Sequence, residues 1–370
     1  MKFVCEKNAI LTEIAIAQEI IIAKNPISIL SNIYLETAAQ SLIIKSSDIK
    51  INFTTKVPVS VIEEGKTTVK GDIFLGIVNS MPEGEIDFEI FDNNLIIKPS
   101  SSSSKKLRFQ IPIIPVEQYP LFPSTENVNF FDINIKDFKS MIKQTIFSVS
   151  DDETRYFMTG IYFERIEDKL IMVSTDGRRL ACIEQELVDP NINFEGIIIP
   201  EKILNIFLKR AGDEGNLTIG IKKSNIFLNF ASYSLSSVLI EGQFPNYRKV
   251  IPDENNFTVS VNKNDLIDAL KRVSQMIEKK SKRVYFQFKK EYTSIYTDKS
   301  DIGDAIEEIP CEFSGEDETV ALNYSYMEDV CKAISSDKIT ILFKEKGKAL
   351  TIKPDPVENF LHVIMPMSLD

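Results

Sequence analysis

The chain has 370 residues, more than one hydrophobic core usually supports, so two or three domains are expected. Hydrophobic residues at 43% and charged residues at 26% exclude a disordered chain, and no apolar run reaches the roughly 18 residues that span a bilayer. The net charge of −11 argues against a nucleic-acid binder that works by bulk attraction to phosphate.

The N-terminal stretch is interrupted by Lys2, Glu6 and Lys7 and does not read as a secretory signal. Phe3 and Cys5 alternate as a short strand, and Ile10, Leu11 and Ile14 follow at helical spacing. Strand, turn and strand follow in NIYLETAAQSLIIKSSDIKINF from residue 32, then a helix from Gly71. Ile86, Phe88 and Ile90 precede a DNN turn, and the run SSSSSKK at 100–106 reads as a flexible hairpin loop. A strand at about 108–114 ends this stretch at the corner Gln118-Tyr119-Pro120.

The pattern then returns. Phe3, Phe131 and Val259 are spaced 128 residues apart and open the same strand and helix; Asp48 and Asp176 hold one turn position at the same offset. Second helices begin near Gly71, Pro200 and Asn323, and Gln243-Phe244-Pro245 repeats the exit corner. The expected organisation is α+β: three tandem copies at 1–125, 126–253 and 254–370. Each reads strand, helix, three strands, helix, and three or more strands, with two helices packed on antiparallel sheets. The two halves of a copy look alike, which implies internal pseudo-twofold symmetry.

Charge is uneven. Helices delimited at 7–17, 71–81, 136–145, 200–210, 263–283 and 323–334 carry +6, and the remainder carries −17. Lys136, Lys139 and Lys143, then Lys202, Lys209 and Arg210, then Lys271, Arg272, Lys279 and Lys280 form either a phosphate-facing surface or ordinary solvated faces. No zinc, Walker or Rossmann signature is present, so neither cofactor nor metal is expected. Cys5, Cys182, Cys311 and Cys331 lack CxxC spacing and sit in apolar segments, which fits reduced thiols in a cytoplasmic protein. His362, the only histidine, lies in a strand-like run and reads as structural. Asp176 in STDGRR is most economically a turn residue, and no catalytic residue is predicted.

In combination, STDGRRLA at 174–181, EGQFPNYRKVIP at 241–252 and VIMPMSL at 363–369 resemble the bacterial DNA polymerase III beta subunit, the sliding-clamp family. NPISILSNIYLE at 25–36 and SMPEG at 80–84 are similar to it as well, so the resemblance covers essentially the whole chain. It implies a non-catalytic processivity factor in DNA replication: a head-to-tail homodimeric ring around double-stranded DNA, held without sequence preference, with helices lining the hole. Twelve helices at about 9 Å spacing close a ring about 34 Å across, leaving a hole of about 24 Å; six would leave about 7 Å. Two chains can therefore encircle a duplex, and one cannot.

The resemblance also implies residue roles. Lys24, Arg155, Tyr156, Phe157 and Lys202 match DNA-contacting positions. A pocket for peptide tails of the replicative polymerase, the clamp loader, other polymerases and repair factors is implied at Met158, Thr175, Gly177, Arg178, Arg179 and Leu180, with Pro245 and Val250. Val363, Ile364, Met365, Pro366, Met367 and Leu369 complete it. Methionines and branched aliphatics make an adaptable apolar groove suited to several peptides. Arg178 stands where histidine is common in the family, Ser368 where arginine is common, and Asp370 extends the usual terminal leucine. The competing reading is an enzyme with Asp176 and Arg179 as its polar core. Met276, Ile277 and the edge strand near 105–111 are candidates for subunit contact.

Overall fold

The structure, a computed structural model, describes residues 1–21, 28–100, 107–187, 192–277, 281–345 and 347–369. Every strand pairing among them is antiparallel, and the described residues form six α-helices. These are α1 (Lys7–Ile20), α2 (Gly71–Ser80), α3 (Ile135–Thr145), α4 (Glu201–Arg210), α5 (Lys263–Val273) and α6 (Tyr324–Ala333).

One strand per copy exceeds the sequence expectation. Gly65–Lys70, Ile197–Pro200 and Glu318–Asn323 run directly into the second helix of their copies. With them, each half of a copy becomes strand, helix and three strands; the first copy carries one more strand, Ser60–Glu63. The same bond recurs in all three copies. The first residues of α1, α3 and α5 donate their N–H groups to the carbonyls of Gly84, Gly215 and Asp337. Lys7 and Lys263 add an ammonium at 2.7 Å from Met81 O and 2.8 Å from Ile334 O. Both carbonyls lie at helix C-termini, where positive charge is favoured.

The third copy's first helix is shorter than expected. It ends at Val273 and gives way to a 3-10 turn, Ser274–Met276, and Arg283 already opens a strand. Lys279 and Lys280 lie outside the described residues. With the observed bounds the six helices together carry +2 rather than +6, and α3 and α4 are the most basic at +2 each.

The described residues divide into two compact units, 1–135 with 210–239, and 136–209 with 240–370, a division that runs through the central copy. In the first unit α1 lies against α2 over a thirteen-stranded sheet, and Phe3 stacks on Phe88 with centroids 4.7 Å apart. Ile51–Pro58 pairs there with Tyr233–Val238, joining the first copy to the end of the second. In the second unit a twelve-stranded sheet joins the start of the second copy to the third, through Arg179–Glu186 paired with Phe360–Ile364. Phe138 of α3 meets Phe207 of α4 edge-on at 5.4 Å, and α5 lies against α6.

His362 is fully buried between Phe147 and Phe360, and neither ring nitrogen has a hydrogen-bond partner. Burial, with Arg179 nearby, pushes its pKa down to about 3. All four cysteines are buried free thiols, and burial pushes Cys5, Cys182 and Cys331 up to about 12. No helix among the described residues is long and apolar enough to cross a membrane.

Candidate functional site

A groove of about 250 Å³ opens in the second unit, where the hairpin Lys169–Thr175/Arg179–Glu186 meets the last strand of the chain. Alternation decides its floor. In Arg179–Glu186 Leu180 points into the groove, and on the neighbouring strand Val363 faces it, directly across the ladder. Ile364, the next residue, is turned to the opposite face and wholly buried.

The turn at 176–178 makes one wall. Asp176 Oδ1 accepts the N–H groups of Arg178 (2.8 Å) and Arg179 (3.0 Å), while Thr175 Oγ1 donates to Arg179 O at 2.6 Å and accepts from Gly177 N at 3.0 Å. Gly177 has φ +87°, a left-handed conformation that glycine adopts without strain, while a Cβ there would meet only the movable end of Arg155, 2.7 Å from its Nη1. Each nitrogen of the Arg179 guanidinium is engaged below this turn. It donates to Asp176 Oδ2 (3.0 Å), Asp329 Oδ2 (2.7 Å) and Phe147 O, and stacks over Tyr326 at 4.4 Å. The polar pair proposed as an enzyme's core is thus committed to holding a turn against α6.

The facing wall is the segment 245–250, whose Pro245, Asn246, Tyr247 and Val250 line the groove. Met158 and Met365 complete the rim, and Val250 and Met365 stand 49% and 44% exposed, large apolar side chains left in water. Ten of the fourteen residues expected in a pocket converge here: Met158, Thr175, Gly177, Arg178, Arg179, Leu180, Pro245, Val250, Val363 and Met365. Ile364, Pro366, Met367 and Leu369 do not line it. After Met365, whose N–H bonds Arg178 O at 2.8 Å, the tail leaves the groove. Met367 N donates to Ala321 O at 2.8 Å, and Ser368 O accepts from Arg283 Nη1 at 3.2 Å. Asn246 and Tyr247 were missed by sequence reasoning, although both lie inside the recognised segment EGQFPNYRKVIP.

The first copy has a counterpart of this floor, built differently. Asn52, 128 residues before Leu180, faces Ser236 across the ladder. Its amide donates to Ser236 Oγ at 3.2 Å and its carbonyl oxygen accepts from Ser47 Oγ at 2.7 Å. Polar groups that satisfy one another occupy the place of Leu180 and Val363, so the apolar floor belongs to the second junction.

The residues matched to DNA contact are dispersed. Arg155, Tyr156 and Phe157 share the short turn Glu153–Met158 beside the groove. There Arg155 Nε bonds Asp152 Oδ2 at 2.9 Å, Tyr156 is exposed, and Phe157 packs on the apolar cluster beneath the groove. Lys202 stands exposed on α4, and Lys24 lies outside the described residues, as does Asp370. Among the described residues no group of three or more histidine, cysteine or carboxylate side chains is placed to hold a metal ion.

Profiles of the DNA polymerase III beta subunit match the chain three times: the N-terminal domain at 1–123, the central domain at 132–246 and the C-terminal domain at 248–368. The chain belongs to the DNA polymerase III beta subunit family. The beta sliding clamp of Treponema pallidum is 39% identical over 374 residues, covering all of both chains, and that of Caulobacter vibrioides is 26% identical over 99% of this chain and all of its own. Among solved structures, the DNA polymerase III subunit beta of Borrelia burgdorferi, in complex with a natural product, superposes with a TM-score of 0.93 at 27% identity over the full length of both. The Bacillus subtilis sliding clamp gives 0.94 at 23% over both full lengths, a likeness of fold. The family is a non-catalytic processivity factor, so the chain's role is that of a sliding clamp in DNA replication.

Proposed function

We propose that two copies of this chain join head to tail in a ring around duplex DNA, and that the groove of each docks the peptide tails of its partners. The observation that carries the docking half is the groove itself. An apolar floor of Leu180 and Val363, flanked by half-exposed Met365 and Val250, offers an extended apolar peptide desolvation at little cost in reordering. Partners are the polymerase catalytic subunit, the clamp loader, other polymerases and repair factors, all competing for one site per chain. The working compartment is the cytoplasm.

Binding to DNA is topological in this reading. A ring needs little affinity for phosphate, which reconciles the net charge of −11 with basic α3 and α4. Lys24, Arg155, Tyr156, Phe157 and Lys202 are the proposed DNA contacts, and the domains run 1–125, 126–253 and 254–370. The third copy's Met276 and Ile277 and the first copy's segment near 105–111 are the proposed subunit contacts; of that segment, residues 109–111 belong to Phe109–Ile114, which lies inside the sheet order between Gly65–Lys70 and Asn94–Pro99 rather than at an edge. Light scattering tests the assembly: a particle of about twice the 42.0 kDa chain mass is expected at micromolar concentration, and a strict monomer contradicts it.

A further inference from the structure

Behind the groove, and not lining it, sits a carboxylate with three donors. Glu164, on the strand Gly160–Ile166, is 9% exposed. Its Oε1 accepts from Tyr247 OH at 2.6 Å and from Arg248 Nη2 at 2.5 Å, and its Oε2 from Tyr162 OH at 3.3 Å. The Arg248 guanidinium lies over the Tyr247 ring at 4.4 Å, and Tyr162 stacks on Phe244 at 4.9 Å. One carboxylate therefore ties the middle of the segment that makes the groove's second wall, at the adjacent Tyr247 and Arg248, to the sheet.

The repeat supplies an internal control. In the first copy, Glu36 occupies the place of Glu164, and Tyr34 OH bonds it at 3.0 Å just as Tyr162 bonds Glu164. The exit corner is also shared, with Tyr119 against Tyr34 as Phe244 lies against Tyr162. The two further donors are not shared. Phe122 stands three residues after Tyr119, where Tyr247 stands three after Phe244, and Pro123 stands where Arg248 does. In the third copy the aligned residue is Gln287. The hydroxyl and the guanidinium thus appear only at the junction whose floor is apolar. Burying a carboxylate is costly unless charged or hydroxyl donors meet it, and here they come from the groove wall.

We propose that Glu164 is a positioning residue of the groove: by holding Tyr247 and Arg248 it fixes the wall Pro245–Val250 at the spacing from Leu180 and Met365 that a peptide requires, without touching the peptide. The inference rests on the reading of the groove as a peptide site. Its physical content is preorganisation, since a wall that is already ordered loses less entropy when the peptide arrives.

The test is fluorescence anisotropy on the full-length protein with a fluorescein-labelled peptide copying the C-terminal tail of the organism's replicative polymerase. Glu164→Ala is expected to weaken binding about tenfold through lost preorganisation, and Tyr247→Phe, which keeps the ring and removes only the bonded hydroxyl, by about threefold. Because both changes break the same bond, the double variant should lose no more than Glu164→Ala alone. Glu164→Gln, which retains an acceptor for Tyr247, should recover part of the loss. The mass of the assembly should be unchanged in Glu164→Gln, and Tyr247→Phe with Glu164→Gln carry the test if Glu164→Ala does not fold. Equal affinity of these variants and the wild type, or strictly additive losses, overturns the role of Glu164. A wild-type protein that does not bind the peptide overturns the groove reading instead.

Discussion

Leu180 and Val363 face each other across an antiparallel ladder although 183 residues separate them, and together they floor the groove. The last strand of the chain is therefore part of the central copy's sheet, and the groove exists only when both ends of that pairing are in place. Leu180 is almost wholly buried, so Leu180→Ala should cost about 2–4 kcal/mol of stability, read as a lowered denaturant midpoint. Leu180→Asn, which copies Asn52 of the first copy, should abolish tail-peptide binding in anisotropy while leaving assembly mass unchanged.

Met365 is the opposite case. At 44% exposure it contributes little to the fold, so Met365→Ala should shift stability by less than about 0.5 kcal/mol. Peptide affinity should nevertheless fall about tenfold, because a flexible rim methionine is a contact made on binding. A melt and a titration on the same sample separate the two effects.

Arg179 holds the turn at 176–178 against α6 through Asp176 and Asp329. Removing its side chain takes a donor from Asp176 Oδ2, Asp329 Oδ2 and Phe147 O, while Asp176 Oδ1 keeps its two backbone donors, and Arg179→Ala should cost about 3 kcal/mol, seen by thermal melting. Arg179→Lys should restore little, since one ammonium cannot serve three acceptors in a planar fork.

His362 makes stability depend on pH. The unfolded imidazole takes up its proton near 6.5, the folded one only near 3, so between these values the unfolded chain binds more protons. The contribution is fully present above about pH 6.5 and is lost as the pH falls toward 3, at up to about 1.4 kcal/mol per unit, or about 2 kcal/mol between pH 7 and 5. Denaturant titrations at both pH values should show that His362→Leu reduces the pH dependence by about that amount.

Much of this was legible in the chain. The 128-residue spacing of Phe3, Phe131 and Val259 marked the copies, and those residues are buried in equivalent first strands, save that the two units divide the central copy. The strand Gly65–Lys70 was hidden because two of its three consecutive buried residues, Thr67 and Thr68, are polar and only Val69 carries an apolar signal. The overlong third-copy helix had a different cause: KRVSQMIEKKSKR contains neither glycine nor proline, so nothing in the sequence marks Val273 as the end. At the groove, Ile364 lies on the other face from its neighbour Val363, yet its register partner Arg179 still lines the groove from the strand end beside the turn, so parity alone does not sort the lining residues. Tyr247 and Glu164 were illegible for a deeper reason, because their bond spans 83 residues and only the folded sheet brings them together.

The most direct test of the central claim is retention on DNA. The protein, loaded by a clamp loader and ATP onto nicked circular plasmid, should co-elute with the circle in gel filtration at high salt and be released when a restriction enzyme linearises it. Persistence on the linear product, or salt-sensitive loss from the circle itself, would contradict a closed ring and indicate ordinary contact with phosphate.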